Sequence, residues 1–296
     1  MPAEGAAATP PHPREILRRH GLRPHRARGQ NFLVAARDLD RVVEAARLDA
    51  RDVVLEIGTG LSRLTERLAA RAAQVVTVEV DSGLASVASD RLCGVANVTL
   101  LCCDFLAGKH AVSPPVSDAV RDALAGGEAP LKVVSNLPYS ISSPAIVNLL
   151  EWELPVGEMC LMVQKEVADR LTAEPGTRDY GPLTVCVDYW ATVEKLFSLR
   201  RGAFWPPPEV TSTLVRIVRR PGQRRTAHYD AFTATVGRLF SARRKTLANA
   251  LRAGWHPETA DRVLEGLRLD GRMRPGELST AQFEAIAEAA GPPRAA

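Results

Sequence analysis

The chain has 296 residues, 46% apolar and 24% charged, a globular composition with material for one large domain or for one large and one small. No apolar run reaches the ~18 residues of a membrane span, so a spanning helix is excluded as an expectation. The net charge of +4 conceals an asymmetry: Arg200 to Trp255 carries twelve Arg/Lys against Glu209 and Asp230, leaving 26 cations against 32 acids elsewhere. A basic block on an acidic body suits a polyanion, since neutralised phosphates release counterions; the alternative is a solvated basic face.

Met1 to Pro13 is Ala/Pro-rich without an apolar signal core, and Arg14 to Arg28 is Arg-rich with Glu15 its only acid. Residues 1–27 therefore read as a flexible basic arm, on a protein expected to be cytoplasmic. Val53 to Ile57 predicts a buried strand entering the tight loop Gly58-Thr59-Gly60, and Leu61 to Ala72 a helix. Val75 to Asp81 predicts a second strand, Ser82 to Leu92 a helix, and Val98 to Asp104 a third strand. The Gly-, Pro- and Ser-rich stretch that follows holds a short helix at Val116 to Leu124. Lys132 to Ser135 is a fourth strand feeding Asn136-Leu137-Pro138-Tyr139, and Ser143-Pro144 opens a helix, Pro being tolerated in a first turn. Met159 to Val163 predicts a fifth strand and Lys165 to Leu171 a helix. Phe204-Trp205-Pro206-Pro207-Pro208 continues neither element, because each Pro fixes φ and removes a donor. Thr211 to Val218 is a last strand. Helices are predicted at Tyr229 to Phe240, Arg243 to Leu251, Pro257 to Leu267 and Thr280 to Ala289.

Strands and helices alternating at this spacing predict an α/β fold, a doubly wound and mostly parallel sheet, followed by a small helical C-terminal domain. The boundary falls near Leu199 to Pro208: residues 28–203 form the sheet domain, its last strand continuing to about 219, and residues 220–296 the helical domain. Ligands of such sheets bind beyond the carboxyl ends of the strands, and Gly58, Glu79, Asp104 and Asn136 each lie at such an end.

Gly58-x-Gly60 followed by Arg63 is an incomplete dinucleotide fingerprint, yet Glu79 stands twenty-one residues beyond Gly58, where an acid meets ribose hydroxyls. That pairing fits NAD and S-adenosylmethionine alike. Asp104 suits an adenine amine, or a helix N-cap. Val34, Ile57 and Val80 offer an apolar slot for adenine, or strand core. Asn136 to Tyr139 discriminates. A ring amine is a poor nucleophile because its lone pair is delocalised; the Asn136 side-chain carbonyl and the Leu137 backbone carbonyl can each accept one N–H and pyramidalise it. Pro138 stiffens the turn, and Tyr139 offers a stacking face for an extruded base. Such catalysis is positioning and electrostatics. The five cysteines lack Cys-x-x-Cys spacing and the six histidines lack ligand spacing, so the thiols are expected to be reduced and mostly buried, and no metal site is predicted. No Gly-x-Ser-x-Gly elbow supports hydrolase chemistry.

With these residues in view, the chain resembles the ribosomal RNA adenine N6-dimethyltransferase family (KsgA/RsmA type) over roughly Arg28 to Ala289. The motifs are Gly29-Gln30-Asn31-Phe32-Leu33, Glu56 to Gly60, Asn136 to Ser142, Met162 to Val167, Tyr180-Gly181, Phe204-x-Pro206-Pro207-Pro208 and Arg243-Arg244-Lys245-Thr246. The resemblance implies a Rossmann-like methyltransferase that moves two methyls to each of two adjacent adenosines near the 3′ end of small-subunit (16S) rRNA. S-adenosyl-L-methionine is the implied cofactor, held by Gln30, Asn31, Leu33, Gly58, Gly60, Glu79, Asp104 and Asn136. It places Asn136, Leu137, Pro138 and Tyr139 at the target base, Phe204 as a second stacking face, and Arg243, Arg244 and Lys245 on RNA phosphates. The implied partner is small-subunit rRNA or the immature small subunit, and a monomer is expected. Thr59 replaces a frequent Pro, Ser140 a common Asn and Glu209 a usual Lys, which bears on RNA docking. Competing expectations are a large-subunit methylase of erythromycin-resistance type, a non-catalytic RNA-binding assembly factor and an NAD dehydrogenase.

Overall fold

Alternation within single strands explains how the sheet comes to be covered on both faces. In Val53–Ile57, the residues Val53, Leu55 and Ile57 enter one apolar cluster while Val54 enters a second on the opposite face. The computed structural model describes residues 11–25, 29–108, 111–125, 131–222 and 227–294.

In chain order the elements are α1 Pro13–Arg19, β1 Phe32–Leu33, α2 Ala36–Ala45, β2 Val53–Ile57, α3 Thr65–Ala69, β3 Gln74–Glu79, α4 Ser82–Leu92, β4 Val98–Cys102, α5 Pro114–Leu124, β5 Leu131–Asn136 and α6 Ser142–Glu151. Then follow β6 Val156–Gln164, α7 Lys165–Leu171, α8 Pro182–Trp190, β7 Ala191–Leu199, β8 Phe204–Trp205, β9 Ser212–Arg219, α9 Ala227–Ser241, α10 Leu247–Gly254, α11 Pro257–Gly266 and α12 Thr280–Ala290. The main sheet runs β4-β3-β2-β5-β6-β9-β7; strands from β4 to β6 are parallel, and β9 is antiparallel to both its neighbours. Strand order reverses between β2 and β5, the point at which such sheets open a crevice. A two-stranded ribbon, β1 with β8, lies outside it.

The first cluster carries the sheet into the C-terminal helices without a break. Tyr189 and Trp190 at the end of α8 meet Tyr229 of α9 at ring separations of 4.9 and 5.0 Å, and Tyr189 stacks on Phe232 at 5.0 Å. The second cluster seats α2 and α3 through Leu39, Val42, Val43 and Leu68.

Several expectations are corrected. The helix predicted from Leu61 is reduced to Thr65–Ala69, because Ser62 takes φ +57° and its hydroxyl turns back onto Leu61 O. The arm predicted over residues 1–27 contains α1, with Ile16 and Leu17 buried against Phe32, Leu61, Leu84 and Val87; residues 1–10 and 26–27 lie outside the described ones. The helix expected from Arg243 begins at Leu247, after Thr246, so Arg243, Arg244 and Lys245 form the turn before it. The helices α1, α2 and α8 and the strands β1, β7 and β8 have no counterpart among the predicted elements, β8 forming at Phe204–Trp205 where no element was expected; Pro182 at the first turn of α8 was the available signal. Of the five thiols, all free, only Cys160 is buried.

Candidate active site

The β2–β5 crevice holds a cavity of about 370 Å³, in the size range of small-molecule sites. Its floor is two strand ends. Ser135 Oγ donates to Ile57 O at 2.6 Å, locking the end of β5 to that of β2. Beyond β2 the chain turns at Gly58, with φ +88°, and Gly60, with φ +54°, both in the left-handed region that glycine tolerates.

Glu79, at the end of β3, sits in the cavity wall and is buried. Its Oε2 accepts from Gly60 N at 2.8 Å and its Oε1 from Asp81 N at 3.0 Å. Burial raises its pKa, and the backbone donors at Asp81 and Gly60 oppose that rise. Each oxygen keeps a lone pair for a further donor. Asp104 lies two residues beyond β4 and also lines the cavity; its Oδ1 accepts from Leu106 N at 3.0 Å within a turn, while the next helix, α5, has Ser113 at its N-cap, so the helix N-cap expected as the alternative for this acid is not formed. Ile57, Val78, Val80 and Phe105 supply apolar wall, whereas Val34, expected beside them, does not line the cavity and contributes its carbonyl to Arg63 at 2.7 Å.

The opposite wall is the Asn136 turn. Asn136 Nδ2 donates to Asn31 O at 2.9 Å, which orients the amide, and its Oδ1 is buried with no partner among the described residues. Leu137 N donates to Met162 O at 3.1 Å, and Pro138 O accepts from Ile141 N and Ser142 Oγ, both at 3.1 Å. Tyr139 hydrogen-bonds Ser212 Oγ, and burial raises its pKa. The phenol is thereby held neutral with its ring fixed. Gly29 packs on this turn: a Cβ there would meet Tyr139 N at 3.3 Å, at φ +65°. Gln30 lines the cavity and is tied to His25 N at 2.8 Å through Oε1. A second cavity of about 660 Å³ adjoins the first, sharing Gly29, Gln30, Asn31, Tyr139 and Ser140, and is closed by Gln164, Pro206 to Pro208 and Glu209. Tyr139 thus stands between two chambers.

One cavity at the strand-order reversal is thus lined by a buried strand-end acid, an oriented amide and a fixed aromatic ring. The model of the ribosomal RNA adenine dimethylase family matches residues 21–290. The chain belongs to the ribosomal RNA adenine dimethylases. It is accordingly a methyltransferase, and members of such a family draw on S-adenosylmethionine in general. This dimethylase is 40% identical to the ribosomal RNA small subunit methyltransferase A of Pelotomaculum thermopropionicum, over 95% of this chain and 96% of that one. It is 38% identical to the protein of the same name in Geobacillus kaustophilus, over 96% and 97%. Among solved structures it resembles a dimethyladenosine transferase from Plasmodium falciparum, at 26% identity and TM-score 0.70, covering 86% of this chain and 95% of that one. The 23S rRNA methyltransferase ErmE superposes at 26% identity and TM-score 0.64, over 88% and 99%.

The crevice brings together Gln30, Asn31, Gly58, Gly60, Glu79, Asp104, Asn136, Leu137, Pro138 and Tyr139. It does not bring in Leu33 or Phe204. These two face each other across the β1–β8 ribbon and both enter the second core cluster, Leu33 at 5% and Phe204 at 2% exposure. Strand alternation sends their neighbours, Phe32 and Trp205, the other way. Phe32 lines the crevice cavity, a position that the linear motif left unmarked.

The basic block is also corrected. Arg216 is buried between Glu158 and Glu194, at 2.9 and 3.2 Å. Arg219 lies over the Trp190 ring at 4.9 Å, Arg220 pairs with Asp188 at 3.0 Å, and Arg252 with Asp261 at 2.7 Å. Arg224 and Arg225 lie outside the described residues. Several of these cations therefore already have a carboxylate or an aromatic ring of this chain as partner. The turn Arg243 to Lys245 is exposed, with Arg243 donating to Thr177 O and Arg178 O at 3.2 and 2.9 Å.

Proposed function

We propose that this dimethylase transfers methyl groups to the N6 amines of two adjacent adenosines in the 3′-terminal hairpin loop of small-subunit (16S) rRNA, in the cytoplasm and as a step in subunit maturation. The observation that carries the reading is the buried, unpartnered Oδ1 of Asn136, held in the cavity wall by the bond from its own Nδ2 to Asn31 O. A buried carbonyl without a donor costs about 1–3 kcal/mol, so the position favours a ligand that brings an N–H.

The residues present fit S-adenosylmethionine. Glu79 keeps acceptor capacity for ribose hydroxyls, Asp104 for the adenine amine, and Ile57, Val80 and Phe105 give that ring apolar walls. Gly58 and Gly60 bring backbone, with no side chain intervening, to the cavity edge. When bound, this cofactor supplies an electrophilic sulfonium methyl. Asn136 Oδ1 would accept one N–H of the target amine and the Leu137 carbonyl the other, drawing the lone pair out of the ring; the proton that the nitrogen sheds on methylation would pass to solvent. Pro138 contributes no N–H to compete. Tyr139 holds the extruded base by stacking, its phenol engaged with Ser212 and unable to serve as a base. The helical residues 220–296, with Arg244 and Lys245 exposed, take RNA phosphates.

The test is mass spectrometry of nuclease fragments after the chain is incubated with immature small subunits, naked rRNA of both subunits and an isotopically labelled methyl donor. Labelled dimethyladenosine at two neighbouring positions of the small-subunit 3′ hairpin is expected. Label confined to large-subunit rRNA would favour the erythromycin-resistance type instead, and no label would leave a non-catalytic RNA-binding factor.

A further inference from the structure

Alongside the two chambers runs a groove of about 550 Å³ between α1 and the Trp205-Pro206 edge. Arg14 and Arg18, one helical turn apart, line it together with Arg23, and none of its lining residues is acidic. All three arginines are exposed, and among the described residues no carboxylate pairs with any of them. This separates them from Arg216, Arg220 and Arg252, each of which pairs with a carboxylate of this chain. The other wall is aromatic: Trp205 is partly exposed and packs on the cluster that holds Ile16 and Leu17, with the His12 ring edge-on at 5.8 Å. α1 is thus seated by two buried side chains and presents its cations from a fixed position.

The groove neighbours the site through shared wall residues. Pro206 borders both it and the second chamber, and Tyr139 borders both that chamber and the cofactor cavity. We infer that the α1–Trp205 groove binds the RNA strand flanking the reacting adenosine, its phosphates on Arg14, Arg18 and Arg23 and a base against Trp205. Guanidiniums suit phosphate oxygens through their planar fork of donors, and an indole face accepts any base. Three unneutralised cations beside an accessible ring, with no acid among them, repel a basic protein segment and offer little to a neutral one; a single-stranded polyanion with π faces satisfies both walls. The inference rests on the proposed rRNA reading of the adjoining site.

The test uses the full chain with S-adenosylmethionine and a labelled small-subunit 3′ hairpin RNA, measuring affinity by anisotropy from about 50 to 200 mM salt and methyl transfer in the same samples. Arg14→Ala/Arg18→Ala/Arg23→Ala is expected to weaken RNA binding about tenfold at low salt and to flatten the log–log salt slope by about two, roughly 0.7 per lost phosphate contact on a single strand. The triple Lys variant should keep the slope, and cofactor affinity by calorimetry should not move. Trp205→Leu should weaken binding about tenfold with the slope intact, and Trp205→Phe by less. Arg19→Ala, an exposed cation of α1 that does not line the groove, should leave both quantities unchanged.

An unaltered slope and affinity in the triple variant would overturn the groove, as would an equal loss from Arg19→Ala. Loss of affinity for immature subunits alone, with naked RNA unaffected, would assign the face to a protein instead. Wild-type chain that binds the hairpin without methylating it would sink the methylation reading while the slopes still decide the groove.

Discussion

Thr59 donates its hydroxyl to Thr77 Oγ1 at 2.7 Å, and Thr77 in turn donates to Glu56 Oε2 at 2.7 Å, so the glycine loop is wired to a carboxyl inside the sheet. Thr65 donates to the same oxygen at 2.6 Å. The Thr59 hydroxyl thus anchors the glycine loop to the interior of the sheet.

Glu56 is buried, and burial outweighs the two hydroxyl donors, lifting its pKa from an ordinary 4.5 to about 8. The folded state therefore holds this proton more tightly than the unfolded chain does. Its stabilising share is complete below pH 4.5 and is lost as pH rises to about 8. Urea titrations across that window should show wild-type stability falling by up to about 1.4 kcal/mol per pH unit from this group. Glu56→Gln, which keeps an acceptor for both threonines, should fall less steeply. Parallel curves for the two proteins would show that Glu56 does not titrate there.

Gly58 leaves no room for a side chain. A Cβ at that position would lie 3.1 Å from Pro138 Cγ, and φ is +88°. Gly58→Ala should cost on the order of 1–2 kcal/mol from backbone strain alone and push the Asn136 turn away from the loop. Cofactor affinity at least about tenfold weaker, with a lower melting temperature, is the expected result by calorimetry and thermal melting. Wild-type affinity in this variant would mean that the loop and the turn move independently.

Asn136→Ala removes the buried carbonyl that, under the proposed function, accepts from the target amine. Losing one preorganised hydrogen-bonding group of this kind typically costs about 10²–10³ in kcat. RNA affinity should stay within about twofold, since phosphates and stacking dominate it. Single-turnover methylation and anisotropy on the same preparation check both halves; full activity would remove Asn136 from the chemistry.

Arg244 and Lys245 differ from Arg243 in what holds them. Arg243 is committed to the carbonyls of Thr177 and Arg178, whereas its two neighbours are exposed in the turn before α10. Arg244→Ala/Lys245→Ala should flatten the salt slope of RNA binding by about 1.4 to 1.8, at roughly 0.7 to 0.9 per contact. Arg243→Ala should chiefly raise protease cleavage near Thr177. Equal salt slopes in wild type and the double variant would take this turn off the RNA surface.

What the linear chain determined by itself was the series of strands and the chemistry at their ends. β-branched runs such as Val53–Ile57 and Gln74–Glu79 carry their pattern locally, and a doubly wound sheet must deliver their carboxyl ends to one edge. Gly58, Glu79 and Asn136 could therefore be placed together before any contact was known. Tertiary structure alone decided that Phe32 and not Leu33 turns toward the site, because pairing of Phe32–Leu33 with Phe204–Trp205 sets a parity that no local pattern reveals over two residues. The same holds for charge: Arg216 and Arg244 look alike in the chain, but only folding brings Glu158 to one and solvent to the other. Local propensity is written in neighbours along the backbone, whereas burial and ion pairing depend on residues far apart in sequence.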